Sequence, residues 1–248
     1  DGHPDEKRLE YAAYDAMKIR PGSRVTREQV QEDLNAIYAT GWFTGLTIDP
    51  IDSPLGVQLI VRVQPNPTLN KVIIQPSDSK LSQEVVDKIF AKDYGKTLNL
   101  NVLQLRMRSL KNWYTDEGYS LARVSGPNRI TSQGVVQLKV TEGIVSGIDI
   151  QFLDDQGKSV RDNGKPVRGK TKLWVINRQL ATKKGDVFSR KILESDIKRL
   201  YSTSLFSDVK VTLRPVPGEP GNVVIVLGIS EQRTGSLNGG IGYSGQQG

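Results

Sequence analysis

The chain has 248 residues, 37% of them hydrophobic, and a formal net charge of +7 at pH 7. It contains no cysteine, which excludes disulfides, cysteine-ligated zinc and thiol catalysis. No stretch approaches the roughly 18 apolar residues that a membrane-spanning helix needs, so composition predicts a folded, soluble chain with one large domain or several small ones. The basic residues are spread along the chain, which is more typical of a solvated surface than of a nucleic-acid or lipid site.

Residues 1–64 predict two helices followed by two strands. Val30, Leu34 and Ile37 have the i, i+4, i+7 spacing of an amphipathic helix, and Thr26 stands at its start as an N-cap. A strand before the first helix is expected to be missing or to lie within the polar first residues, so this unit is interpreted as truncated. The predicted elements are a helix over "KRLEYAAYDAMK", the helix of Val30, and strands near 46–51 and 57–63.

Two further units are predicted, each with the order β-α-α-β-β. In the second unit, Ser82 caps a helix that Gly95 ends. In the third unit, Ile148, Ile150 and Phe152 alternate inward, as in a strand with one buried face. The second unit has predicted strands over 69–76, 121–126 and 135–140; the third has strands over 147–153, 208–214 and 223–229 and helices over 173–182 and 190–202.

The corner between the second helix and the next strand is repeated in the sequence. Residues 22–46 align with residues 185–209 without a gap, and a weaker copy over 93–124 fits after a three-residue insertion. We interpret the tyrosine and phenylalanine of this corner as wedges between helix and sheet. The identities in the gapless alignment are Gly22/Gly185, Arg27/Arg190, Asp33/Asp196, Tyr38/Tyr201, Thr40/Thr203 and Phe43/Phe206.

These units resemble a known family of domains. Units of this size and order, with the corners "TGWFTGLTI", "DEGYSLARV" and "STSLFSDVKV", are similar to polypeptide-transport-associated (POTRA) domains. The tail "RTGSLNGGIGYSG" alternates Leu237, Ile241 and Tyr243 with small or polar residues, and it resembles the first barrel strand of the BamA-type outer-membrane assembly family. Three units resemble the cyanobacterial and chloroplast Toc-channel branch of that family.

The resemblance implies an α+β fold of three tandem domains, each a three-stranded mixed sheet covered by two helices. The expected boundaries are 1–64, 65–141 and 142–231, followed by the truncated start of a transmembrane β-barrel over 232–248. It also implies a location at the cell outer membrane, with the domains facing the periplasm or the equivalent soluble side of the chloroplast outer envelope.

The same resemblance implies a receptor and chaperone-like module of an outer-membrane β-barrel insertase or protein translocation channel. Unfolded client polypeptides would add a strand to an exposed sheet edge and pass to the C-terminal barrel of the full-length protein. Accessory proteins are further expected partners, and no nucleic acid is expected. The strand after the two helices is expected at the edge, which gives the candidate client-binding residues Leu46, Thr47, Ile48, Leu121, Ala122, Arg123, Val124, Val209, Lys210, Val211, Thr212 and Leu213.

The third unit carries an insertion over residues 154–172, "DDQGKSVRDNGKPVRGKTK". It is polar and contains glycine, so it is predicted to be a surface loop. An inert solvated loop is the favoured interpretation, and a docking site for barrel, lipid or a partner is the alternative. The candidate docking residues are Lys158, Arg161, Lys165, Arg168 and Lys170.

Other classes of function fit the sequence less well. The one histidine, His3, lies in the polar leader, and Asp154 and Asp155 have no neighbouring nucleophile, so we expect no enzyme, no cofactor and no metal site. An RNA-binding module is the main alternative, because basic charge and βααβ order resemble KH domains. A KH domain needs a G-x-x-G loop between its helices, whereas the joints here read "RPGS", "DYGK" and "KKGD". Two-partner-secretion transporters are also similar, but they usually carry two units.

Overall fold

The computed structural model describes residues 5–232, which form three small sheets with helices packed against them. Contacts divide the chain between Glu142 and Gly143 into two compact units. The first unit contains two of the sheets, and the second unit contains the third. We call the three sheet-and-helix groups the first, second and third modules. Within residues 5–232 no helix is long and apolar enough to cross a membrane.

The first module has two helices and a two-stranded sheet. Thr26 caps the second helix in a capping box, in which Thr26 Oγ1 accepts from Gln29 N–H and Gln29 Oε1 accepts from Thr26 N–H. Leu9, Ala13, Ile37 and Phe43 form the small buried core. The elements are α1 (Glu6–Ala16), α2 (Arg27–Ala39), β1 (Phe43–Ser53) and β2 (Gly56–Pro65), with β1 and β2 antiparallel.

The second module has the complete three-stranded sheet. Ser82 and Asn99 cap its helices through side-chain oxygens that accept backbone N–H groups. Its last strand is central, parallel to the first strand on one side and antiparallel to the middle strand on the other. The elements are β3 (Lys71–Gln75), α3 (Gln83–Phe90), α4 (Leu100–Asp116), β4 (Arg123–Ile130) and β5 (Val135–Thr141), in the sheet order β3-β5-β4.

The third module repeats this topology. Every second side chain of its central strand faces the core, and these residues are all buried: Val223, Ile225, Leu227 and Ile229. The elements are β6 (Val145–Phe152), α5 (Leu173–Asn177), α6 (Arg190–Ser202), β7 (Phe206–Pro215) and β8 (Val223–Glu231), in the sheet order β6-β8-β7. The predicted α+β class and the order β-α-α-β-β are confirmed in the second and third modules.

Among residues 5–232, the sheet of the first module consists of β1 and β2, the two strands predicted for this unit, whereas the other two sheets have three strands each. One prediction about an element is corrected by the structure. Helix α5 ends at Asn177, although the sequence predicted a helix to residue 182. It stops early because the amides of Ala181 and Thr182 donate to the carboxylate of Asp196 on α6. The predicted barrel segment, 232–248, lies outside the described residues except for residue 232.

The structure confirms one half of the prediction for the aromatic corner and contradicts the other half. Phe43 and Phe206 are buried, with 2% and 4% of their surface exposed, as a wedge between helix and sheet requires. Tyr38 and Tyr201 are 45% and 42% exposed, so the prediction that their rings are also wedges is wrong. The residue one position earlier on each helix, Ile37 or Leu200, points inward instead and is fully buried.

The first two modules are joined end to end through asparagine side chains. Asn99, which caps α4, also donates to the carbonyl of Thr40 at the end of α2. Asn66 donates to the carbonyls of Gly41 and Leu98, one from each module. Gly41 has φ +77°, and a Cβ there would lie 3.0 Å from Asn99 Oδ1. The C-terminus of α2 and the N-terminus of α4 therefore satisfy each other's backbone groups.

A buried aspartate fixes the segment between the two helices in the first and third modules. In the first, the Asp33 carboxylate accepts from the N–H groups of Lys18 and Ile19 at 2.8 and 2.9 Å. In the third, Asp196 accepts from Ala181 and Thr182 at 2.9 and 3.0 Å. The equivalence of these contacts explains why the two aspartates are identical in the aligned repeat.

Candidate functional site

The strands that follow the helix pairs lie at sheet edges. Among residues 5–232, strands β4 and β7 each pair with one strand, and β1 belongs to a sheet of two. Edge strands offer backbone N–H and C=O groups on the side that has no neighbour, which an added strand can pair with. The three edges differ in which backbone N–H and C=O groups are available to pair with an added strand.

Strand β7 offers a regular edge. Val209 N–H donates to the hydroxyl of Tyr201 at 3.0 Å, and therefore points away from β8. Because backbone direction alternates along a strand, the N–H and C=O groups of Val211 and Leu213 also point away from β8. The pairing with β8 is regular from Asp208 to Pro215. The candidate residues Lys210 and Thr212 direct their backbone groups towards β8 instead.

Side chains next to this edge provide an apolar surface. Val209 is buried, Val211 and Leu213 are half-buried, and all three face the helix layer. Tyr201 on α6 donates its hydroxyl proton to Asp208 at 3.2 Å while accepting from Val209, so its ring lies at one end of the edge. The sequence alignment shows that a tyrosine recurs at the position of Tyr201, but it does not indicate the hydrogen bond to Val209.

The β4 edge is shorter than predicted. The candidate residues Leu121 and Ala122 precede the strand, which begins at Arg123, because Ala122 N–H closes a turn onto Tyr119 and its side chain is buried. Arg123 and Val124 do lie in β4. Beyond them the pairing breaks between Ser125 and Arg129, and Pro127 in this break has no N–H.

The β1 edge is also interrupted. Leu46, Thr47 and Ile48 lie in β1, as predicted. A register shift between Phe43 and Gly45 precedes them, and Pro50, which has no N–H, follows. Pairing with β2 is regular from Gly45 to Ser53, so Pro50 interrupts the row of N–H groups but not the register.

The inserted loop over 154–172 is anchored at its end. The carboxylate of Glu231, at the end of β8, accepts from the N–H groups of Lys170 and Thr171 at 2.9 and 2.7 Å. Burial acts to raise the pKa of Glu231, but these hydrogen bonds outweigh it and the pKa is lowered. Gly169 lies against the ring of Phe152, where an added Cβ would come within 2.2 Å of the ring.

The basic residues of the loop are all on its surface. Lys158, Arg161, Lys165, Arg168 and Lys170 are exposed. Lys158 forms an exposed ion pair with Asp162 at 3.4 Å, a type of contact that contributes little. Within the described residues, no group of three or more acidic or histidine side chains is arranged to hold a metal ion.

Two models of protein families match the chain. One, described as "POTRA domain, ShlB-type", matches residues 68–143. The other, described as "Surface antigen variable number repeat" under the name POTRA, matches residues 167–232. The two matches cover the second module and most of the third.

Several known proteins are similar along most of the chain. Outer envelope protein 80, chloroplastic, of Oryza sativa subsp. japonica is 30% identical over 98% of this chain and 36% of its own length. Outer membrane protein assembly factor BamA of Nitratidesulfovibrio vulgaris is 26% identical over 85% of this chain and 26% of its own length. The chain therefore spans about a third or less of the curated relatives it matches.

Two solved structures are similar over nearly their whole length. The N-terminal domain of Omp85 from Thermosynechococcus elongatus is 38% identical with a TM-score of 0.80, covering 94% of each chain. POTRA1-3 of the periplasmic domain of Omp85 from Anabaena is 40% identical with a TM-score of 0.80, covering 94% of this chain and 91% of that one. Each of these two structures is similar to this chain in both fold and sequence.

Proposed function

Since this chain belongs to the POTRA region of the Omp85 family, whose members lie in outer membranes or outer envelopes, we propose that it is the receptor module of a β-barrel insertase or translocation channel. It binds unfolded client polypeptides as added strands at open sheet edges and passes them to the C-terminal barrel of the full-length protein. Strand addition suits this task because main-chain hydrogen bonds provide affinity with little demand on client sequence.

The β7 edge is the observation that carries this proposal. Val211 and Leu213 present backbone groups away from β8, and their half-buried side chains form an apolar strip beside them. Long exposed edges are normally protected because they promote aggregation. Strand β4 is interrupted at Pro127, whereas the β7 edge runs without a proline from Asp208 to Arg214.

The test compares two proline substitutions one residue apart. Val211→Pro removes an N–H that points away from β8, so the sheet keeps its ladder while an incoming strand loses a donor and meets the proline ring. We expect binding of a barrel-derived peptide to weaken about tenfold or more, which corresponds to the upper range for one hydrogen bond. Binding is measured by fluorescence anisotropy with the 248-residue chain.

Matched variants separate the edge from the fold. Val211→Ala removes most of the side chain and keeps the N–H, and it is expected to change affinity much less. Thr212→Pro removes an N–H directed at β8 and is expected to destabilise the third module. Unchanged affinity in a folded Val211→Pro protein would refute strand addition at β7.

A further inference from the structure

The excess positive charge of the chain lies mostly in its third module. Residues 1–142 contain 18 lysine and arginine residues and 17 aspartate and glutamate residues, whereas residues 143–232 contain 15 and 10. Within the third module, residues 163–185 contain seven basic residues and no acidic residue. All seven side chains are exposed: Lys165, Arg168, Lys170, Lys172, Arg178, Lys183 and Lys184. A surface segment with charge of one sign attracts partners of the opposite sign.

Two large apolar side chains are exposed within this segment. Leu173 and Trp174 follow Lys172, the N-cap residue of α5, and are 51% and 61% exposed. The guanidinium of Arg178 lies over the Trp174 ring, 5.8 Å from its centre, in a cation–π contact. An exposed apolar pair with cations around it is typical of a surface that binds a partner with both apolar and anionic parts.

The fold itself does not require an apolar pair at this place. In the first helix of each module, the fourth residue after the N-cap is at most 2% exposed: Leu9 in α1, Val86 in α3 and Ile176 in α5. The two residues directly after the N-cap are polar in the other modules, namely Glu6 and Lys7 in α1 and Gln83 and Glu84 in α3. The third module therefore has an exposed apolar pair where the other two modules have exposed polar residues.

Hydrogen bonds hold this segment beside the end of β8. The Glu231 carboxylate, on the last residue of β8, accepts from the N–H groups of Lys170 and Thr171. Trp174 is three residues further along the chain, a distance of at most about 11 Å. In the proposed function the barrel follows this module in the full-length protein, so the exposed pair lies near the membrane surface.

An anionic lipid surface fits these features better than other anionic partners do. Leucine and tryptophan side chains enter the boundary between headgroups and acyl chains, where the indole ring is in an apolar environment and its N–H stays in contact with water. Lysine and arginine side chains beside them reach the headgroup phosphates. A nucleic acid could stack a base on Trp174 and pair with the cations, but it offers no apolar environment for Leu173. An acidic polypeptide would use the charges alone.

We propose that Leu173, Trp174 and the basic residues around them form a docking surface for the anionic lipid surface of the membrane that contains the barrel. The two apolar side chains enter the headgroup region, and Lys170, Lys172 and Arg178 contact lipid phosphates. This inference rests on the proposed function for the position of the module next to a membrane. Its role is separate from strand addition at β7, because lipid docking orients the third module and involves another part of its surface.

The test measures binding of the 248-residue chain to lipid vesicles by co-sedimentation. Vesicles of phosphatidylglycerol and phosphatidylcholine in equal amounts are compared with vesicles of phosphatidylcholine alone. We expect at least tenfold tighter binding to the anionic vesicles, since each basic residue near such a surface contributes about fivefold. At about 1 M salt, where the Debye length is about 3 Å, most of this difference should disappear.

A first pair of variants tests the apolar side chains. Trp174→Ala is expected to weaken binding to anionic vesicles about tenfold without unfolding the module, because the ring is 61% exposed. Leu105→Ala removes a 53% exposed apolar side chain from α4 in the second module, and it is expected to leave binding unchanged. Brominated acyl chains should quench part of the tryptophan fluorescence of the natural chain. They should quench none in Trp174→Phe, whose remaining tryptophans lie in the other modules.

A second pair of variants tests the position of the charge. Replacing Lys170 and Lys172 together with glutamine is expected to weaken binding about tenfold or more. The matched control replaces Lys88 and Lys92 with glutamine, which removes the same charge from exposed positions in the second module. This control is expected to change binding much less, since only lysines close to the lipid surface contribute.

Several results would overturn the proposal. These are equal binding to neutral vesicles, unchanged binding in Trp174→Ala, and equal losses from the two lysine pairs. Binding of single-stranded RNA or polyglutamate that depends on Trp174, without binding to vesicles, would assign the surface to another partner. Trp174→Ala should still bind the barrel-derived peptide, and Val211→Pro should still bind vesicles, so failure here is distinguishable from failure of the proposed function at β7.

Discussion

Replacing Asp196 with alanine should strongly destabilise the third module. The carboxylate is fully buried and accepts from Ala181 N–H at 2.9 Å, from Thr182 N–H at 3.0 Å and from the Thr182 hydroxyl at 2.5 Å. It also pairs with Arg199, whose side chain is 43% exposed and can turn to water. The substitution therefore leaves three donors without an acceptor at the end of α5.

The expected cost follows from these contacts. A buried donor that loses its acceptor costs about 1–3 kcal/mol, and three donors lose their acceptor here. We expect a loss of about 3–5 kcal/mol, a large part of the roughly 5–15 kcal/mol that stabilises a domain. At a urea dependence of about 2 kcal/mol per molar, the midpoint of unfolding falls by about 2 M.

The assay is a urea titration followed by the amide NMR signals of β8, which report on the third module alone. Asp196→Asn keeps one acceptor oxygen and is expected to give an intermediate loss. Ser195→Ala, at an exposed neighbouring position, should stay within about 0.5 kcal/mol of the natural protein. Asp33→Ala is expected to have a comparable effect on the first module. A loss below about 1 kcal/mol for Asp196→Ala would refute the reasoning from its three donors.

Two further predictions follow from the corner and the loop. Phe206→Ala removes a buried ring and should lower the stability of the third module by about 3–5 kcal/mol in the same titration. Tyr201→Ala, at a ring that is 42% exposed, should lower it clearly less. Equal losses of stability would contradict the assignment of the wedge to Phe206 alone. The lowered pKa of Glu231 means that its contribution to stability is present above the ordinary glutamate pKa and is lost as pH falls through the lowered value. Hydrogen-exchange protection of Lys170 and Thr171 should therefore fall in acid and in Glu231→Gln at neutral pH, and protection that does not depend on Glu231 would argue against the anchor.

Local patterns in the sequence predicted most of the fold. Apolar spacing placed α2, and the expected caps Thr26 and Ser82 both accept backbone N–H groups. These features depend on residues three or four positions apart, which a single sequence displays directly. The gapless alignment of the first and third units also predicted that they share a corner, and Phe43 and Phe206 are buried accordingly.

Features that depend on distant partners could not be predicted in the same way. The early end of α5 is caused by Asp196 on another helix, and the pattern of residues 173–182 contains no sign of it. The repeat favours Tyr201 as a wedge between helix and sheet, yet it lies one position past the buried Leu200, and its hydroxyl accepts from Val209 N–H on β7. The direction of each backbone group at an edge depends on strand register, so the sequence identified Val209 to Leu213 but not which of them face outward.

Hydrogen exchange of β7 during client binding tests the central claim most directly. The 248-residue chain is labelled with ¹⁵N, and amide exchange rates are measured with and without a saturating barrel-derived peptide. Strand addition predicts that Val211 and Leu213 become protected by about tenfold or more, while Lys210 and Thr212, already paired with β8, change little. Peptide binding that leaves the exchange of Val211 and Leu213 unchanged would contradict the account.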